Sequence, residues 1–107
     1  MVDKAVLNTV KKYLQMLCAQ GVPVKAGVLF GSYVTGRTHE WSDIDLLVVS
    51  RRYDLPFTHR DAMFLWHVAA DVDSRIEPLP CGEKQWEEDD ASMIIEIGRR
   101  EGEKVTI

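Results

Sequence analysis

A chain of 107 residues, 46% apolar and 28% charged with a formal net charge of −4, has room for one real core and little for a separate substrate domain. Such ordinary composition places it among globular domains, and no apolar run approaches the length that crosses a bilayer. The mild acidity argues against a dedicated nucleic-acid module, which would show phosphates a basic face, and residues 1–107 read as a single domain.

From Val2 to Gln20 the apolar residues Val6, Leu7, Val10, Tyr13, Leu14, Leu17 and Cys18 recur at gaps of three and four, which predicts a helix with one buried face. Asp3 suits its N-cap, and Gly21 with Pro23 ends it. Lys25 to Phe30 is short and apolar and stops at Gly31, so it reads as a strand. Ser32 to Gly36 is then a turn or short helix, and Arg37 to Ser42 a polar loop. Ile44 to Val49 is almost entirely aliphatic and predicts a central strand buried on both sides. After a connection over 51–56, Thr58 with Asp61 three residues later resembles a capping pair opening a helix from His59 to Val72. Ser74 to Leu79 reads as a third strand, Glu83 to Glu88 as a helical turn, Ala91 to Arg100 as a helix closed by Gly102, and Lys104 to Ile107 as a short last strand. The order predicts an α+β fold: a small mixed β-sheet covered by helices on one face.

The N-terminus carries Asp3 and interrupted apolar positions, unlike a signal peptide. Cys18 and Cys81 belong to no Cys-x-x-Cys pair, and Cys18 falls on the apolar stripe of the first helix; both are expected as reduced thiols in a cytoplasm. The pairs Arg51-Arg52 and Arg99-Arg100 read as solvated surface, as do Arg75 and Lys84. Tyr33 and Trp41 read as packing beside the loop, and Trp66 and Trp86 as core or interface. His39, His59 and His67 show no ligand spacing. Met93, Ile94, Ile95 and Ile97 exceed one narrow stripe and mark a helix that is widely buried or meets a partner.

The chemistry concentrates in 31–46. Asp43 and Asp45, two apart at the start of a greasy strand, point to the same face, where two carboxylates repel unless a cation joins them. A lone Asp-x-Asp reads as a polar strand start beside a turn. Gly31-Ser32 change that balance: they follow a strand, the glycine lets amides approach a phosphate, and the serine hydroxyl donates to anionic oxygen. A phosphate cradle facing paired carboxylates has the hard-oxygen chemistry that magnesium bridges to a triphosphate, with two ions serving nucleophile and leaving group. Glu77, on the third predicted strand, would complete a three-acid set if that strand lay beside the Asp strand; otherwise it is a surface acid before a proline.

Gly31-Ser32, ten residues, then Asp43-x-Asp45 resembles the signature of the DNA polymerase β-like nucleotidyltransferase superfamily, and the short chain is similar to its minimal nucleotidyltransferase (MNT) branch. Helix, strand with Gly-Ser, strand with Asp-x-Asp, helix, and strand with an acid follow that family's order over nearly the whole chain. The resemblance implies a palm-like fold, triphosphate contacts from Gly31 and Ser32, and Mg2+ held by Asp43 and Asp45. Glu77 would share the metal or deprotonate the acceptor hydroxyl. Thr35 stands where many relatives carry a basic or small residue, and Glu77 is longer than the Asp often found there. It further implies transfer of AMP from ATP to a hydroxyl, often with a HEPN toxin, a helical RNase, as the partner that the MNT protein neutralises. A non-catalytic antitoxin or scaffold acting by contact is the alternative, and transfer to a small molecule such as an aminoglycoside a further one; a homo-oligomer stays open, since a dimer interface could build the missing pocket.

Overall fold

The computed structural model describes residues 4–30, 43–88 and 92–107. Helix α1 (Lys4–Ala19) leads into strand β1 (Val24–Phe30). Strand β2 (Ile44–Ser50) is followed by a 3-10 turn at Arg51–Asp54, helix α2 (His59–Val72) and strand β3 (Ile76–Cys81). Two short helices, α3 (Glu83–Glu88) and α4 (Met93–Glu101), precede strand β4 (Glu103–Val105). The four strands form one mixed sheet in the order β3-β2-β1-β4, with β1 antiparallel to both β2 and β4 and β2 parallel to β3. No helix among the described residues is long and apolar enough to cross a membrane.

The first helix buries Val6, Val10, Tyr13, Leu14 and Leu17, the stripe expected from the spacing. Its last turn closes with the Val22 amide donating to the Leu17 carbonyl at 3.0 Å, and Gly21 adopts φ = 98°, a left-handed conformation that a Cβ would disfavour. Cys18 departs from the expectation of a core position, being exposed. It lies about 100° around the helix from Leu17, at the margin of the buried arc.

Helix α2 begins where its sequence says it should. The Asp61 amide donates to the Thr58 side chain and the Thr58 amide donates back to the Asp61 carboxylate at 2.7 Å, so both orphan donors are met. Arg52 adds an ion pair to Asp61 at 3.2 Å. The parallel pairing of β2 and β3 requires a crossover, and α2 supplies it. It buries Leu65, Val68 and Ala69 against one sheet face.

That face carries the larger core: α1 and α2 meet Leu29, Ile44, Leu46, Val48 and Ile76. The Tyr13 hydroxyl enters this core and donates to the Leu65 carbonyl at 2.9 Å, since an unpaired hydroxyl there would cost about 1–3 kcal/mol. Ser50, fully buried at the end of β2, donates to the Pro23 carbonyl at 2.9 Å and accepts from the Arg52 amide at 3.1 Å, tying the end of β2 to the start of β1.

The element order suggested helices on one face only; the two long helices lie there, but the two short ones pack on the other. The alternate side chains Val28, Leu47, Val49 and Cys81 form a smaller core on the other, under Ile95 of α4 and Trp86 of α3. Helix α4 spans Met93–Glu101, beginning later than the sequence suggested. The third strand begins at Ile76 rather than Ser74 and continues through Pro78 and Pro80 to Cys81. The first rung of its ladder is Ile44 N–H donating to Arg75 O at 2.7 Å, so Glu77, Leu79 and Cys81 turn their amides to β2 while Pro78 and Pro80 face the outer edge, where a missing N–H costs no ladder bond.

Gly102 joins α4 to β4 where the backbone passes closely under β1. A Cβ there would collide with the Gly98 carbonyl and reach 2.6 Å from Val28 Cγ1 and 2.9 Å from the Leu29 carbonyl. Gly102→Ala should therefore lower stability by about 1–3 kcal/mol, the usual range for overpacking, read as a reduced urea midpoint at unchanged slope.

Candidate active site

The pairing register decides what stands beside what. Phe30, Asp45 and Glu77 form one row across β1, β2 and β3, with Asp45 opposite Phe30 on one side and Glu77 on the other. Asp45 shares the face of Leu47 and Val49, and Glu77 that of Leu79 and Cys81, so both acids lie on the face carrying the smaller core. Asp43 sits exposed just before β2 and, two residues from Asp45, lies toward the same side. Thus the structure brings together three of the residues singled out from the sequence, Asp43, Asp45 and Glu77. The other two, Gly31 and Ser32, lie outside the described residues, as do Tyr33, Thr35, His39 and Trp41. The described chain halts at Phe30, to which Gly31 is bonded.

The electrostatics follow from crowding acids on partly covered strands. Burial raises the Asp45 carboxyl above its ordinary value; the hydrogen bond from Glu77 works the other way, and the Asp43 charge adds to the rise. Glu77 is also raised, by burial first and then by the Asp43 charge and the hydrogen bond it makes with Asp45. Both carboxyls are thus held above their ordinary values by the same two causes, partial burial and the neighbouring acids.

Magnesium favours carboxylate oxygens, and these three side chains are that donor type, brought together at one end of the sheet. Among the described residues no three His, Cys, Asp or Glu side chains are already grouped so as to hold a metal ion. The fit therefore lies in the donor set, whose mutual repulsion a divalent charge would reverse.

Elsewhere several expectations find their place. Trp86 is partly buried against the smaller core, whereas Trp66 is 43% exposed, on the surface side of α2. His59 and His67 are exposed on α2. The Lys84 amide caps onto the Asp54 carboxylate at 3.1 Å. Arg75 differs from the solvated charge expected of it: its guanidinium meets the Asp73 carboxylate at 2.7 Å, and its amide donates to the same Asp73 side chain at 2.9 Å. The sequence signal for this arrangement was the Asp-x-Arg spacing just past a helix, which permits an Asx turn.

The fold is a nucleotidyltransferase fold. A toxin–antitoxin complex crystallised with AMP-PNP superposes with a TM-score of 0.61 at 22% identity, over 92% of this chain and 71% of that one. A protein from Sulfolobus solfataricus, provisionally described as a nucleotidyltransferase, superposes with a TM-score of 0.59 at 20% identity, over 76% of this chain and 70% of that one. The chain belongs to the nucleotidyltransferase domain family, whose sequence pattern matches residues 10–100. No curated protein sequence matches it.

The raised carboxyls have a consequence for stability. A group whose folded pKa exceeds its unfolded one stabilises the fold below the unfolded value and loses that contribution as pH rises through the folded value. For Glu77 the loss begins above its ordinary value of 4.5. Glu77→Gln should accordingly raise the melting temperature at pH 7, and its advantage over the parent should shrink as pH falls toward 4. Thermal unfolding of both proteins across that range checks this; a variant less stable at pH 7 would contradict the assignment.

Proposed function

We propose that the protein is a magnesium-dependent nucleotidyltransferase that moves AMP from ATP to a hydroxyl on a protein partner, in the manner of an antitoxin acting on its toxin. The observation that carries this reading is the in-register pairing of Asp45 with Glu77, with Asp43 alongside, in a chain of the nucleotidyltransferase domain family. Asp43, Asp45 and Glu77 would hold Mg2+, and Gly31 with Ser32 would receive the triphosphate. When bound, the cation supplies positive charge to the triphosphate oxygens and the departing pyrophosphate.

The balance of the transfer is simple. The acceptor oxygen forms a bond to the α-phosphorus, the bond from that phosphorus to the bridging oxygen breaks, and pyrophosphate leaves with the electron pair. The acceptor proton needs a base, and the Glu77 carboxylate would take it. Its raised carboxyl implies that both cation affinity and rate fall as pH drops through the raised range, because protons compete for the same oxygens. The toxin–antitoxin neighbour with its ATP analogue makes a toxin the natural class of partner, and a HEPN-type helical protein in a cytoplasm is the reading the MNT resemblance favours.

Contact alone is the second reading, and exposed apolar side chains favour it. Leu55, Phe57, Met63 and Trp66 around α2, with Met93 and Ile94 at the start of α4, leave apolar area that a partner would cover. Incubation with labelled ATP, Mg2+ and the candidate partner separates the two. Transfer should occur, and Asp43→Asn with Asp45→Asn should reduce it by about 10²-fold or more, since cation stabilisation of the transition state is worth several kcal/mol. A double variant that still neutralises the partner would establish contact as the mode of action.

A further inference from the structure

The turn that delivers Glu77 to the acid row has a construction that the acid set itself does not explain. Asp73 caps the end of α2, its amide donating to the Ala69 carbonyl at 2.8 Å. Its carboxylate then takes four hydrogen bonds from one neighbour: from the Arg75 amide at 2.9 Å, from Arg75 Nε at 3.1 and 3.2 Å, and from the Arg75 guanidinium NH2 at 2.7 Å. Both side chains are mostly covered, with 20% of Asp73 and 31% of Arg75 exposed. The Asp73 carbonyl also accepts from the Ile76 amide at 3.1 Å, so both the side chain and the carbonyl of Asp73 hold the turn.

The output of this turn is a single carbonyl. Arg75 O accepts the Ile44 amide at 2.7 Å, and Ile44 is the residue between Asp43 and Asp45. That bond is the first rung of the β2/β3 ladder, and it fixes the register in which Glu77 faces Asp45. A slip of one residue there would turn Glu77 to the opposite face.

We propose that Asp73 and Arg75 are positioning residues: their side-chain clamp holds the Arg75 carbonyl against the Ile44 amide and so sets the place of Glu77 relative to Asp43 and Asp45. This rests on the reading of those three acids as a cation site. A plain helix-to-strand turn needs only its backbone bonds; the charged clamp adds rigidity at the one sheet end where the acids meet. Ligand-supporting residues of this kind usually change metal affinity 10- to 100-fold when removed.

The test uses the full chain with Asp73→Ala and Asp73→Asn. Asparagine keeps an oxygen for the Arg75 amide, whereas alanine keeps nothing. Two quantities are measured: hydrogen-exchange protection of the Ile44 amide, against Leu47 and Val48 as internal references, and affinity for Mn2+ as the cation probe. With alanine, Ile44 protection should fall at least 10-fold with the references unchanged, and Mn2+ affinity should weaken about 10-fold. Asparagine should restore both to within about threefold. Unchanged Ile44 protection in Asp73→Ala would overturn the proposal, as would Mn2+ affinity that stays at the parent value while protection is lost. A loss of protection equal at Ile44, Leu47 and Val48 would overturn it too, by showing general destabilisation. If the parent itself bound no Mn2+ while Ile44 responded as expected, the cation-site reading would fall and the control of register would stand.

Discussion

Everything at the acidic end of this molecule depends on β2 and β3 running parallel in one register. Antiparallel neighbours could have been joined by a tight turn, but parallel ones need an element to carry the chain back across the sheet. Helix α2 does so, and its own placement is determined at both ends, by Thr58 and Asp61 at the start and by Asp73 at the finish. In between, Leu65, Val68 and Ala69 lock it into the larger core. The register of Ile44 with Ile76 is therefore inherited from a well-packed helix, and the neighbouring pair, Asp45 with Glu77, is inherited with it.

The two faces of the sheet divide the labour. The face under α1 and α2 is dry, with Tyr13, Leu14, Leu17, Leu46 and Ile44 all fully buried. The other is covered around Trp86 and Ile95 by the short helices, while Asp45 and Glu77 on it are only partly buried. Placing repelling carboxylates on the second face costs stability that the first can supply. Had Asp45 pointed among Leu46's neighbours, its charge would have met only apolar side chains, at a cost of several kcal/mol. Alternation along β2 is what lets one strand serve a hydrophobic core and an acid row at once.

How much of this could be read in advance varied with how local the cause was. The bounds of α2 were legible to the residue because capping is a local interaction between Thr58 and Asp61. The β2 strand was legible because its aliphatic run leaves little choice. The start of β3 was not: Ser74 and Arg75 look extended in sequence, but the Asp73 side chain captures the Arg75 amide and delays the strand to Ile76. Cys18 matched the helical period yet lay at its margin, where the period alone does not say how far the neighbouring elements reach. That Glu77 would stand beside Asp45 was conditional on strand order, a long-range property that no local pattern encodes. For Gly31 and Ser32 the motif remains the ground for their assignment.

The prolines of β3 bear on how anything can attach to the molecule. Pro78 and Pro80 occupy two of the three outward-facing positions of this edge strand, and the amide of the third, Ile76, is taken by the Asp73 carbonyl, so this margin offers carbonyls but no free donors. An extended segment from another chain would find no ladder to join there. Recognition at that margin would proceed through side chains and shape rather than through an added strand.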